Sequence, residues 1–238
     1  MKRFWELDSL RGAAVVMMVL FHLIFDLTYF LNYNFQIDSG FWLLFARATA
    51  AIFILLVGIS LSISYSKDPA KTRLVKRGLK IFGYGLIITA VTWFLFKENF
   101  IFFGILHFIG FSIILSTLFL RQNKINLPIS AAFILGGFYL SNFRFDFPWL
   151  AWLGFEPRTF YTFDYFSVFP WFGLILFGIF FGKHFYGKNK RVFEIKELGH
   201  LPIIRQLCFL GRNSLAIYFI HQPILIAILY ILGLPIRF

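Results

Sequence analysis

Residues 6–27, ELDSLRGAAVVMMVLFHLIFDL, open on a charged cluster of Glu6, Asp8 and Arg11, continue as an apolar run, and set His22 and Asp26 inside it. Four residues apart on an α-helix puts two side chains on one face, one above the other. Ionisable groups inside a membrane span are costly and usually face a bundle interior or a wet cavity, so the pair suggests a functional site at depth. An interhelical hydrogen-bond pair that glues the bundle is the competing reading of the same two residues.

Composition supports a membrane setting. The 238 residues are 59% hydrophobic, 22% aromatic and 14% charged, with 36 Phe, and the mean hydropathy is +0.77. A soluble domain carries about 45–50% apolar and about 25% charged residues. The net charge of +12 does not point to nucleic acid, because the basic residues sit in short loops between apolar runs. Membrane topology and anionic lipid headgroups account for that pattern better. Cys208 is the single cysteine, which excludes an intrachain disulfide framework and a cysteine-based metal site. No small-residue cleavage site follows the first apolar run, so no cleaved signal peptide is expected.

The fold class expected is an all-α polytopic membrane protein, a bundle of about seven transmembrane helices. The spans fall at residues 10–31, 41–66, 79–96, 100–120, 127–142, 165–182 and 213–232. The segments before span one and after spans two, four and six carry Lys2, Arg3, Arg11; Lys67, Lys71, Arg73, Lys76, Arg77, Lys80; Arg121, Lys124; and Lys183, Lys188, Lys190, Arg191, Lys196, Arg205, Arg212. That is 18 of 23 basic residues. The other side holds Lys97, Arg144, Arg158 and Arg237, with Arg47 inside span two. The N-terminus is therefore expected in the cytoplasm and the C-terminus outside a cell membrane. No repeat or linker divides the chain, so residues 1–238 read as one membrane domain. Residues 143–164 form an aromatic external loop. Residues 187–211 form a basic cytoplasmic one, with room for an amphipathic helix at 193–198.

At about 1.5 Å rise per residue, His22 lies roughly 18 Å into the membrane, and Asp26 one turn further out. His107 enters from outside in GILHFIGFS and His221 from inside in LGRNSLAIYFIHQP. Arg47 sits in the outer half of span two, and Asp164 is expected to cap the outer end of span six. These six polar residues from five spans fall into one layer, which suggests a shared cavity. His titrates near neutrality, and a carboxylate beside it can fix its tautomer, so His22 with Asp26 would serve as a general base toward a hydroxyl or amine. Arg47 would neutralise Asp26 or Asp164, or steady an oxyanion. Trp171 and Pro170 would shape the wall, or simply pack and kink span six. No metal is expected, since the three His lie on separate spans without local ligand spacing.

At the cytoplasmic rim, Arg11-Gly12 opens span one and Gly211-Arg212-Asn213-Ser214 opens span seven. Asn213 or Ser214 would cap that helix and leave its positive end near the surface. With Arg11, Arg212 and the basic second loop, this end suits a phosphorylated ligand; ordinary capping plus topological charge is the alternative.

ELDSLRG with VLFH, GILHFIG, DYFSVFPWFGLILFGIFFG and LGRNSLAIYFIHQPIL together resemble the small prokaryotic members of the heparan-α-glucosaminide N-acetyltransferase family, within the wider group of transmembrane acyltransferases. The resemblance runs from about residue 3 to 228 of the sequence. It implies transfer of an acetyl group from cytoplasmic acetyl-CoA to an acceptor, an amino sugar or other glycan, on the far side. By motif position it makes His22 the leading catalytic candidate, with Asp26, His107, Asp164 and His221 lining the site. Arg11 and Arg212 become candidates for the CoA phosphates. The 238 residues are fewer than the lysosomal enzyme has, and its lumenal domain is not expected among them. A transporter or flippase using Asp26 and the His residues as a proton relay is the alternative function, and a scaffold or sensor subunit is a third. The oligomeric state stays open, a homodimer being one option.

Overall fold

In the computed structural model, which describes residues 4–187 and 190–234, the apolar runs fold as α-helices. A helix satisfies its own backbone groups, as the hydrocarbon core demands. The order is α1 Trp5–Leu31, α2 Gly40–Lys67, α3 Lys71–Leu95, α4 Ile105–Ser116, α5 Asn126–Leu140, a 3-10 turn Ala151–Leu153, α6 Val168–Phe185, α7 Pro202–Arg212 and α8 Ser214–Ile231. Among the described residues there is no strand, only isolated bridges from Phe103 to Tyr165 and from Phe145 to Pro157. Lys2, Arg3, Lys188 and Arg237 lie outside the described residues.

Five helices, α1, α2, α3, α6 and α8, are long and apolar enough to cross a membrane; α4 and α5 are apolar but shorter. The expected span at 100–120 is the main departure, because its helix has only 12 residues. Its first five residues are drawn into contact with the stretch before α6: Phe166 N–H donates to Phe103 O at 3.0 Å, and Thr162 Oγ1 donates to Phe100 O at 2.7 Å. Two helices instead begin earlier than their apolar runs. α1 takes in Glu6, Asp8 and Arg11. α3 starts at Lys71, so the basic residues read as a loop are helical; Leu74 and Gly78, interleaved with them, supply its buried face. The amphipathic helix is also displaced. Residues 193–198 are not helical, and α7 begins with Pro202 at its N-terminus, where the missing proline N–H costs nothing. α6 carries non-helical backbone at Phe169, before a cis Phe169–Pro170 bond.

The chain divides within α2 into two compact units, Met1–Phe53 with Ile195–Phe238, and Ile54–Glu194. In the first, α1 packs against α7 and α8. The α1–α7 contact is backbone to backbone: a Cβ on Gly12 would strike Leu207 O, and one on Gly211 would strike Asp8 O. Only glycine fits there. In the second unit α3 packs on α4, and α6 on α4 and α5, around Phe108, Ile113, Phe172, Ile175, Leu176 and Ile179, all fully buried. The aromatic loop before α6 is clamped by ion pairs of Arg144 with Glu156 (3.2 Å) and Arg158 with Asp146 (2.7 Å).

Candidate functional site

Helix periodicity brings His22 and Asp26 to the side of α1 that meets α8, and α8 answers with His221 and Gln222. His22 Nδ1 lies 2.8 Å from Met18 O, and His221 Nδ1 lies 2.7 Å from Tyr218 O. A carbonyl can only accept, so each neutral ring carries its proton on Nδ1 and presents a lone pair at Nε2. The two rings meet edge to face with centroids 4.6 Å apart. Asp26 is fully buried, and its Oδ1 accepts a hydrogen bond from the Gln222 amide.

His22 and Asp26 share a face but no hydrogen bond among the described residues. The His22 tautomer is set by its own helix, through the carbonyl four residues back, rather than by the carboxylate. Asp26 is held across the helix pair by Gln222, a residue the sequence reading passed over. Its signal was present: an amide inside an apolar span is costly unless it finds a hydrogen-bond partner. Asp26 Oδ2, Gln222 Oε1 and His221 Nε2 are buried without a hydrogen-bond partner among the described residues. Gln222 Oε1 and His221 Nε2 are acceptors in these states, and Asp26 Oδ2 is one when the carboxyl is ionised. A donor-bearing group, such as a hydroxyl or an amine, would satisfy these atoms, and His22 with its Nε2 lone pair stands on the same face of α1 as Asp26.

Arg47 belongs to the same unit but is exposed on α2, and it makes no ion pair among the described residues. The remaining outer residues lie in the other unit. His107 is buried there. Thr89 Oγ1 donates to Ile101 O at 2.6 Å, which uses its single proton, so the 3.2 Å contact with His107 Nε2 is donated by the ring. Asp164 caps α4 rather than α6: its Oδ2 accepts from Ile105 N–H at 2.9 Å. A carboxylate is favourable at that helix end. Trp171 packs against Phe166, ring centroids 5.1 Å apart.

At the start of α1, Asp8 gathers both arginines. Arg212 Nε stands 3.0 Å from Asp8 Oδ2 and Arg11 Nη1 3.4 Å from Oδ1, with the Arg212 side chain 48% exposed and that of Asp8 11% exposed. The pairs tie α7 to α1 beside the Gly12–Gly211 contact. Cys208 adds a weak bond, Sγ to Trp5 O at 3.3 Å; burial and the nearby Asp8 carboxylate push its thiol up. Asn213 does not cap α8. Its amide donates back to Phe209 O at 2.9 Å, because α7 runs almost directly into α8 and its last carbonyls need partners. Ser214 is the first residue of α8, and no side chain caps that helix. Among the described residues, no three His, Cys, Asp or Glu side chains are grouped to hold a metal ion.

A family model described as "Heparan-alpha-glucosaminide N-acetyltransferase, catalytic" matches residues 3–223. Comparison with curated proteins and with solved structures returns no match.

Proposed function

The chain belongs to the heparan-alpha-glucosaminide N-acetyltransferase catalytic family, and from that membership we propose that it is a membrane-embedded enzyme moving an acetyl group from acetyl-CoA to an amino sugar or glycan acceptor. The observation that carries the proposal is the extent of the match. It spans residues 3–223 and so includes His22, Asp26, His221 and Gln222 as well as Arg11 and Arg212. The loop charges support a cytoplasmic N-terminus in a cell membrane, with donor binding on that side and the acceptor arriving from outside.

In the proposed reaction the acceptor is oriented by its other O–H or N–H groups, which donate to the buried Asp26 Oδ2, Gln222 Oε1 and His221 Nε2 and leave the attacking group's own proton for His22. The acceptor's oxygen or nitrogen attacks the thioester carbonyl of the donor while His22 Nε2 takes its proton. The tetrahedral species then collapses, the carbon–sulfur bond breaks, and His22 returns the proton to the departing CoA sulfur. General base catalysis of this kind contributes about 10²–10⁴ in rate. His221, protonated on Nδ1, offers a second lone pair rather than an oxyanion donor; Arg47 is the cation proposed for the oxyanion. An acetyl-His22 intermediate is the other route the same lone pair allows.

For the donor, Arg212 fits a phosphate better than Arg11. Its Nε is held by Asp8, which orients the guanidinium, and its half-exposed side chain leaves the Nη nitrogens without a partner among the described residues. Asp8 would compete with a phosphate for both arginines. Acetyl-CoA binding to the purified full chain, with an R212A variant alongside, tests the proposal. Micromolar binding that weakens in the variant supports it, and absence of binding to folded protein leaves the family membership without this activity.

A further inference from the structure

Arg73, Lys76, Arg77 and Lys80 recur at helical spacing along α3, so they share one face, and all four are exposed. The opposite face, with Leu74, Gly78, Ile81 and Gly85, is buried. It lies so close to α4 that a Cβ on Gly78 would meet Gly110 O and Ile114, and one on Gly85 would meet the His107 ring. The basic face is therefore the one turned away from the rest of its unit. Arg73 is already paired with Asp68 at 2.8 Å. Lys76, Arg77 and Lys80 have no acidic partner among the described residues.

The same face does not end with its cations. At about 100° per residue, Ile87, Val91 and Phe94 continue the line of Lys76 and Lys80, and they are 57%, 51% and 81% exposed. Tyr84 marks the change, with Lys80 Nζ 5.7 Å from its ring centroid. From Lys80 to Val91 the helix rises about 16 Å, close to half of the roughly 30 Å hydrocarbon core. One continuous outer face thus offers three unpaired cations and then an apolar strip one leaflet deep.

We propose that this face of α3 binds a phospholipid with a net-negative headgroup, its phosphate on Lys76, Arg77 and Lys80 and an acyl chain along Ile87 and Val91. A soluble polyanion would match only the basic half and leave the apolar strip unused. A zwitterionic lipid would match the strip but bring a cationic group against the lysines. Charge and length together select an anionic lipid of the leaflet that holds the first turns of α3.

The test uses the purified full chain in nanodiscs of equimolar phosphatidylglycerol and phosphatidylcholine, with co-retained lipids counted by mass spectrometry. The wild type retains phosphatidylglycerol preferentially. The Lys76→Gln/Arg77→Gln/Lys80→Gln variant loses that preference by about 100-fold, the scale expected for three surface cations at about 1 kcal/mol each. A Lys190→Gln/Lys196→Gln/Arg205→Gln variant, which removes the same charge elsewhere, keeps it. An unchanged preference in the α3 variant, or an equal loss in the control, overturns the proposal. Displacement of the lipid by millimolar inorganic phosphate, where chloride at equal ionic strength leaves it bound, also overturns it, by showing a phosphate site without the apolar half. Should the α3 variant fail to fold, the wild type at about 1 M salt decides, since screening shortens to about 3 Å there. A preference that survives such salt refutes a headgroup held by these cations.

Discussion

Gln222→Met would delete the amide that bonds Asp26 while keeping a flexible side chain of similar length. Asp26 is fully buried, its Oδ2 already lacks a partner among the described residues, and Gln222 serves Oδ1. The substitution therefore leaves a buried carboxyl with neither oxygen met. Breaking such a bond costs about 1–3 kcal/mol for a neutral acceptor and about 3–5 kcal/mol for a buried charge stripped of its partner. Polar pairs in membrane bundles average only about 0.6 kcal/mol, because the unfolded chain in lipid also finds partners. A double-mutant cycle with Asp26→Leu separates these cases. We expect a coupling of about 1 kcal/mol or more, with the double variant regaining much of what Gln222→Met loses. For a chain of this length each kcal/mol moves the thermal midpoint by about 2–4 °C, which a melting curve in mild detergent resolves. A coupling below about 0.3 kcal/mol would refute the Asp26–Gln222 bond, and with it the idea that α8 holds the carboxyl in place.

His22→Ala should lower acetyl transfer by about 10²–10⁴ while leaving acetyl-CoA binding intact; unchanged turnover removes His22 as the base. Gly211→Val drives a side chain into Asp8 O and should destabilise the α1–α7 contact by about 1–3 kcal/mol. Cys208, the single cysteine and buried, reports it, through slow maleimide labelling in the wild type and fast labelling in the variant. Equal labelling rates would show the contact to be loose already. Tyr165, which donates to Ala151 O, has its phenol pushed up from 10.0 to about 12, chiefly by burial. Its neutral form is the one favoured by the fold, so its contribution to stability is whole below pH about 10 and lost as pH climbs toward about 12. Tyr165→Phe should flatten that alkaline loss in a pH series of melting curves, and an unaltered alkaline slope argues against the buried phenol.

What the sequence revealed was what periodicity alone controls. His22 and Asp26 sit four residues apart, and that spacing sufficed to put both on the side of α1 that α8 later meets. It could not show their partners, because the Asp26–Gln222 bond joins residues 196 apart in sequence. The choice of a main-chain carbonyl for His22 Nδ1 is likewise a rotamer outcome that spacing does not encode. The charged ends misled in a consistent way. Glu6 and Asp8, and Lys71 to Lys80, read as loop because charge ends an apolar run, yet Leu74, Gly78 and Ile81 repeat at helical spacing between the cations. α4 was overestimated for the opposite reason: residues 100–104 are apolar, but their backbone is engaged by residues far along the chain. Asp164 belonged to α4 on the same long-range account. At the rim, nothing local told that Asp8 would take up both Arg11 and Arg212.

The Asp26–Gln222 bond also sets a waiting time. The two residues are 196 apart, and synthesis proceeds at about 5–20 residues per second, so α1 is made about 10–40 s before its partner exists. Through that interval Asp26 has no Gln222 and Gly12 no Leu207 to meet. A helix with an unmet carboxyl must then be kept in lipid by its apolar length, by water, or by the insertion machinery. The Asp8–Arg212 pair and the Gly12–Gly211 contact close in the same last quarter of the chain. A truncation before α7 would therefore strand α1 as a degradation signal, while leaving the whole Ile54–Glu194 unit already made.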